Sequence, residues 1–211
     1  GVEPDRIAFG NTVKKQRDIV RAYEYGVRLF AFDSRAELSK LASAAPGADV
    51  YCRVFMDGAG SDWPLSRKFG CEPAQAAGML EEAGYAGLVP AGVSFHVGSQ
   101  QRDPRQWDVA IKQCAAIFDE LSTRGVELSL LNIGGGFPAF YGEDIEGPRA
   151  YAAAVMRAVK ARFGDVPQVM AEPGRGLVAE AGHIAAEVML VSRKSADDLH
   201  RWVYLDIGRF S

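Results

Sequence analysis

LSLLNIGGGFP, residues 128–138, is an apolar run that ends abruptly in three glycines and a proline. The adjacent pair Leu130-Leu131 suits a strand covered by helices on one side and packed inside on the other. Triple glycine lets successive amides turn toward one anion with no Cβ in the way. Outward from this stretch the same alternation of run and helix recurs along most of the chain. Residues 6–9, 27–32, 50–55, 88–96, 128–133 and 169–171 read as strands.

The helices between them carry their own signals. Thr12 or Asn11 is expected to cap the first, with Gly26 near its end. Ser34-Arg35-Ala36-Glu37 reads as a capping box for the second. Pro73 opens a third, which Gly84 is expected to stop. Asp103-Pro104 starts a fourth, with Trp107, Ile111, Cys114, Phe118 and Leu121 on one face and Arg124-Gly125 at its end. Pro148 opens a fifth, stopped by Gly164. The polar, glycine-rich loop 57–70 is long for such a connection and is suspected of function. Six strand–helix units in series favour an α/β (β/α)8 TIM-like barrel, here incomplete, with an open doubly wound sheet as the competitor. From residue 183 the pattern changes to two strands, 183–191 and 201–207, with no helix between. The expected division is a partial barrel domain over 1–182 and the start of a C-terminal β domain over 183–211.

The 211 residues are 48% hydrophobic and 24% charged, enough for one sizeable core. A net charge of −3 gives no basic surplus for nucleic acid. No run is long enough to span a bilayer, and no signal peptide is visible. Cys52, Cys71 and Cys114 are odd in number, far apart in sequence and in no CxxC pair, which fits a reducing cytoplasm better than a disulfide framework or a metal site.

Barrel chemistry gathers at the carboxyl ends of strands. There the fourth run ends Ser94-Phe95-His96-Val97-Gly98-Ser99, the fifth in the triple glycine, and the sixth in Glu172-Pro173-Gly174-Arg175. Singly, each has a plain reading: a core histidine, a tight turn, a solvated charged turn. Together they offer glycine amides, the Ser99 hydroxyl and the Arg175 guanidinium to one phosphate. The stretch is neither a P-loop nor a GxGxxG dinucleotide fingerprint. Glu172 would be repelled by that phosphate unless it faced a cation, and a protonated pyridine nitrogen supplies one. Phosphate, ring nitrogen and an imidazole over the ring describe pyridoxal 5'-phosphate.

FHVGSQ, NIGGGFP and AEPGR, with FDS at 32–34 and DWPLSRKFG at 62–70, resemble the eukaryotic-type ornithine/lysine decarboxylases of the alanine racemase-like barrel family. The resemblance runs through essentially the whole chain. It implies that His96 stacks on the cofactor ring, Ser99 and the amides of Gly135 and Gly136 bind the phosphate, Glu172 pairs with the ring nitrogen, and Arg175 contacts the phosphate. Pro173 and Gly174 complete that turn. It also implies a basic amino acid substrate, ornithine to putrescine or lysine to cadaverine, and a homodimer with active sites at the subunit interface. Lys68 is expected to be structural or interfacial, and Arg53 to pair ionically on the core side.

Two family motifs are not in these residues: the Tyr-Ala-Val-Lys-like stretch whose lysine bonds the cofactor, and Gly-Pro-x-Cys-Asp. Lys14, Lys15, Lys68 and Cys71 lie in other contexts. The chain is therefore expected to correspond to six of eight barrel strands and to be inactive alone. Sister activities on diaminopimelate, arginine or carboxynorspermidine, a non-catalytic homologue like the antizyme inhibitors, and a phosphate-binding barrel without pyridoxal are the alternatives.

Overall fold

Phe30 and Phe32 point one way from their strand and Ala31 the other, because side chains alternate across a strand. That parity, repeated through six parallel strands, builds the fold. The computed structural model describes residues 1–63, 68–164 and 167–208. In chain order it runs β1 (Ala8–Phe9), α1 (Gln16–Glu24), β2 (Leu29–Phe32), α2 (Arg35–Ala44), β3 (Asp49–Arg53), β4 (Ser61–Trp63) and α3 (Pro73–Tyr85). There follow β5 (Val89–Ser94), β6 (Ser99–Gln101), α4 (Arg105–Thr123), β7 (Leu130–Asn132), α5 (Pro148–Phe163), β8 (Gln168–Met170) and α6 (Arg175–Val178).

The main sheet has the order β1-β2-β3-β5-β7-β8, every pair parallel. It is a curled half-barrel, an incomplete TIM-like barrel, and not the doubly wound sheet that was its competitor. Helices cover one face. Phe30, Phe32, Val50, Cys52, Val93 and Leu131 pack there with Ile19, Leu41, Leu80, Trp107, Ile111 and Leu121. Each large side chain buried this way contributes about 1.5–3 kcal/mol. Ala31, Tyr51 and Leu130 form a smaller cluster of their own, flanked by Ala8, Leu29 and Met170.

The helix signals held unevenly. Ser34 Oγ accepts from Glu37 N at 3.3 Å, half of a capping box. The Glu37 carboxylate instead meets Lys14 Nζ at 3.0 Å and Lys40 Nζ at 2.5 Å. That pull also explains why neither Thr12 nor Asn11 caps α1. Lys14 is drawn into the interior, donating to Asn11 O at 2.7 Å and Ala31 O at 2.6 Å, so the helix begins later with Lys15 at its N-cap. Gly84 does not stop α3, which runs on to Tyr85; Gly87, at φ +78°, makes the turn. A Cβ at Gly84 would meet only Pro90 Cγ, at an ordinary 3.9 Å, so no contact requires glycine there. Asp103 Oδ1 accepts from Arg105 N at 2.9 Å, and Gly164, at φ +64°, ends α5.

The loop 57–70 holds a strand that its polar sequence did not announce. β4 pairs antiparallel with β6, Trp63 opposite Ser99. Residues 64–67 of the DWPLSRKFG stretch lie outside the described residues. The chain divides into two units, Gly1–Leu177 and Val178–Ser211. The second contains the antiparallel pair β9 (Val188–Ser192) and β10 (Trp202–Leu205).

Candidate cofactor site

Strand parity carries polar groups to the carboxyl ends on the face away from the helices. Arg53, Ser94 and Asn132 stand side by side in register across β3, β5 and β7. Two residues further along, His96, Gly134 and Glu172 follow the same parity.

All three glycines after β7 are required by space. A Cβ on Gly134 would sit 1.9 Å from Phe95 O, on Gly135 2.5 Å from Glu172 O, and on Gly136 2.2 Å from Gly98 O. Gly134 and Gly136 also have positive φ, +63° and +97°. The turn is thus wedged between the chain after β5 and the chain after β8. Gly134 N donates to Asn132 Oδ1 at 2.9 Å, and Gly134 O accepts from Glu172 N at 2.8 Å. Among the described residues, the amides of Gly135 and Gly136 have no acceptor.

His96 stands against this turn, its Nε2 3.2 Å from where a Gly135 Cβ would be. Gly98 N donates to His96 Nδ1 at 3.0 Å, which places the neutral ring's proton on Nε2. Burial, and then the positive charge of Arg53, lowers the imidazole pKa to about 4. The ring is therefore neutral at pH 7, a flat surface rather than a second cation.

Ser99 opens β6 between Gly98, which crowds Gly136, and Gln101, whose N donates to Gly136 O at 2.8 Å. Glu172 Oε1 accepts from Asn132 Nδ2 at 2.8 Å. Since Asn132 Oδ1 is committed to Gly134, its amide can turn only its NH2 to the carboxylate. Pro173 O and Gly174 O accept from Gly176 N and Leu177 N, which starts α6 at Arg175. A Cβ on Gly176 would lie 3.0 Å from Phe137 Cβ, so this turn packs on the residue after the glycines. The Arg175 guanidinium lies 5.7 Å from the Tyr141 ring centre.

Two residues here were missed from sequence. Asn132 was passed over as strand, although its parity and its place two before the glycines were visible. Tyr51 was absorbed into an apolar run. Its buried hydroxyl has no hydrogen-bond partner among the described residues, and burial, then the charge of Glu172, pushes its pKa up. Tyr51 Oη and Glu172 Oε1 each lie 3.4 Å from the position of a Gly10 Cβ, so the end of β1 also closes on this corner. Arg53 makes no ion pair within 4.0 Å among the described residues; its guanidinium stands 5.1 Å from the Phe69 ring centre, on the site side. The core-side pairing expected for it is absent because strand parity turns it the other way. Lys14 is occupied by three acceptors, and Lys68 Nζ lies 5.2 Å from the Phe69 ring centre. No group of three or more metal-ligating side chains occurs among the described residues, and no helix described is long and apolar enough to cross a membrane.

Residues 1–179 match the family model described as "Pyridoxal-dependent decarboxylase, pyridoxal binding domain". The chain belongs to this family. A pyridoxal-dependent decarboxylase domain is accordingly what the half-barrel is, and its cofactor is pyridoxal 5'-phosphate. The lysine/ornithine decarboxylase of Selenomonas ruminantium is 34% identical over 99% of this chain and 52% of its own length. Antizyme inhibitor 2 of Xenopus laevis is 36% identical over 90% of this chain and 42% of its own. The lysine/ornithine decarboxylase of Vibrio vulnificus, solved in complex with putrescine, superposes with a TM-score of 0.80 at 32% identity, covering 98% of this chain and 53% of that one. The chain spans about half the length of these relatives. The residues present suit the family's cofactor: among the described residues, two unclaimed amides in the glycine turn, a neutral ring against that turn, and an oriented carboxylate.

Proposed function

We propose that this domain is the cofactor-holding half of a decarboxylase acting on a basic amino acid, ornithine or lysine, to give putrescine or cadaverine. The observation that carries the reading is the glycine turn, with two amides free of acceptors among the described residues, held between the His96 ring and the Glu172 backbone. Bound here, pyridoxal phosphate supplies an electron sink for the pair left when an α-carboxylate departs as carbon dioxide. Gly135 N, Gly136 N, Ser99 Oγ and Arg175 would hold the phosphate, with Pro173 and Gly174 shaping the turn. His96 would lie on the ring face and exclude water from it. Glu172 would keep a proton at the ring nitrogen, oriented by the Asn132 amide. A homodimer with sites at the subunit interface, residence in the cytoplasm, and a division into a barrel domain at 1–182 and the start of a β-rich domain at 183–211 belong to the same reading.

In a chain joining this domain to the remaining half seen in its relatives, Glu172→Ala should cut turnover by orders of magnitude while the cofactor's visible absorbance still reports binding. Near-wild-type turnover at saturating cofactor would remove Glu172 from this role. Similarity to an antizyme inhibitor favours a second reading, a non-catalytic binding protein. Mixing pyridoxal phosphate with the same joined chain separates the two, since a spectral shift lost in Gly135→Ala supports the first and no shift supports the second.

A further inference from the structure

Cys52 and Cys71 stand 19 residues apart in sequence, yet their sulfurs are 3.5 Å apart in the helix-covered core. Backbone contacts hold both in place. Cys71 lies beside Val54 in a parallel bridge, its N donating to Arg53 O at 3.0 Å and its O accepting from Phe55 N at 2.8 Å. Residues 52 and 54 share one parity, so Cys52 is the diagonal neighbour of Cys71 on the same face. All three cysteines are free thiols. The described residues offer the pair no third metal ligand. Cys71 is 7% exposed and Cys52 0%, so solvent-borne reagents meet Cys71 first. The hydrogen bond from Cys52 also holds the Cys71 thiol below its ordinary pKa, while burial raises that of Cys52. The thiolate, not the thiol, is the nucleophile.

We propose that Cys52 and Cys71 are a modification site, a reversible thiol–disulfide pair oxidised by hydroperoxides, independent of the activity proposed above. The Cys71 thiolate attacks a peroxide oxygen; the O–O bond breaks, and Cys71 becomes a sulfenic acid as water or an alcohol leaves. The Cys52 sulfur then attacks the Cys71 sulfur, the S–O bond breaks, and a second water leaves with the Cys52 proton. Two thiols give up two electrons to one peroxide bond. The gap of 3.5 Å closes to about 2.0 Å in the bond, with the backbone shifting to bring these diagonal neighbours into disulfide range. The bond would tie the end of the 57–70 loop to β3. It would enclose β4, the strand that pairs with Ser99, in a covalent ring, and it adjoins Gly70, whose N donates to Asp33 Oδ2 at 2.8 Å.

The test is graded hydrogen peroxide on the 211-residue chain, followed by thiol alkylation and non-reducing peptide mapping. A peptide joining Cys52 to Cys71, lighter by two hydrogens and released by dithiothreitol, is expected in wild type and in Cys114→Ala. It should be absent from Cys71→Ala. Oxidation should also raise the melting temperature by roughly 5 °C in wild type and in Cys114→Ala, and leave that of Cys71→Ala without the rise. A bridge through Cys114, a bridge only between chains, or Cys71 passing to its sulfinic acid while Cys52 still alkylates would overturn the proposal. Mapping of wild type and Cys114→Ala decides the question even where Cys71→Ala folds poorly.

Discussion

The two faces of the six-stranded sheet are built from the same strands and do different work. Toward the helices, Phe30, Phe32, Val50, Cys52, Val93 and Leu131 are all fully buried, and the face is apolar from end to end. The opposite face is graded along the strands. Ala31, Tyr51, Gly92 and Leu130 lie in register as one layer, and Arg53, Ser94 and Asn132 form the next. Beyond them come His96 and Glu172. A (β/α) unit thus separates its tasks by side-chain parity: one set of positions supplies packing, the other supplies groups for a ligand. Within the second set, distance along the strand separates filler from chemistry.

The sharpest way to break this contrast is to truncate one residue of each face and compare stability with cofactor binding. Phe30→Ala on the covered face should cost about 3–5 kcal/mol in urea unfolding, because it leaves a ring-sized void against Phe9 and the helices. A loss below about 1 kcal/mol would deny that face its assigned role. Asn132→Ala on the other face should cost about 1–3 kcal/mol, mainly from the buried Gly134 N–H left without its acceptor. It should weaken pyridoxal phosphate binding more than Phe30→Ala does, since Glu172 loses its orienting donor; equal weakening by the two variants would erase the distinction.

The smallest effect expected is a pH dependence. The His96 pKa, about 4 in the folded chain, lies below the ordinary 6.5 of an unfolded histidine. Between those values the unfolded state binds the extra proton, so stability is full above pH 6.5 and is lost as pH falls toward 4. The loss from pH 7 to pH 5 amounts to about 2 kcal/mol. His96→Asn should be less acid-sensitive than wild type by that amount in parallel denaturation curves, and identical curves would place the imidazole in water.

The covered face was readable in sequence because its rule is simple: apolar pairs in short runs, and Trp107, Ile111, Cys114 and Leu121 at helical spacing. The starts of α2, α3 and α5 followed from Ser34, Pro73 and Pro148, and the end of α5 from Gly164. The failures share a cause. Thr12, Asn11 and Gly84 were read by local propensity, and the structure decided otherwise: Lys14 is drawn to Glu37 and Ala31, and Gly87, not Gly84, takes the left-handed turn after α3. In the site, His96, Ser99, the glycines and the Glu172–Arg175 turn were visible as residue types that packing alone does not explain. Asn132 and Tyr51 stayed hidden because a strand interior shows whether a residue is apolar but not what it faces. The pairing of β4 with β6 had no periodic signal, being three residues long on each side.

The strand order β1-β2-β3-β5-β7-β8 never reverses. Each parallel strand therefore pairs first with the one made just before it, and every new unit finds its docking edge already synthesised. Contacts grow outward with chain length instead of waiting for distant segments to meet, which keeps loop-closure costs low for a parallel sheet. On a ribosome this half-barrel can assemble by accretion, one strand and one helix at a time, with the glycine turn and the Glu172 carboxylate among the last parts to arrive.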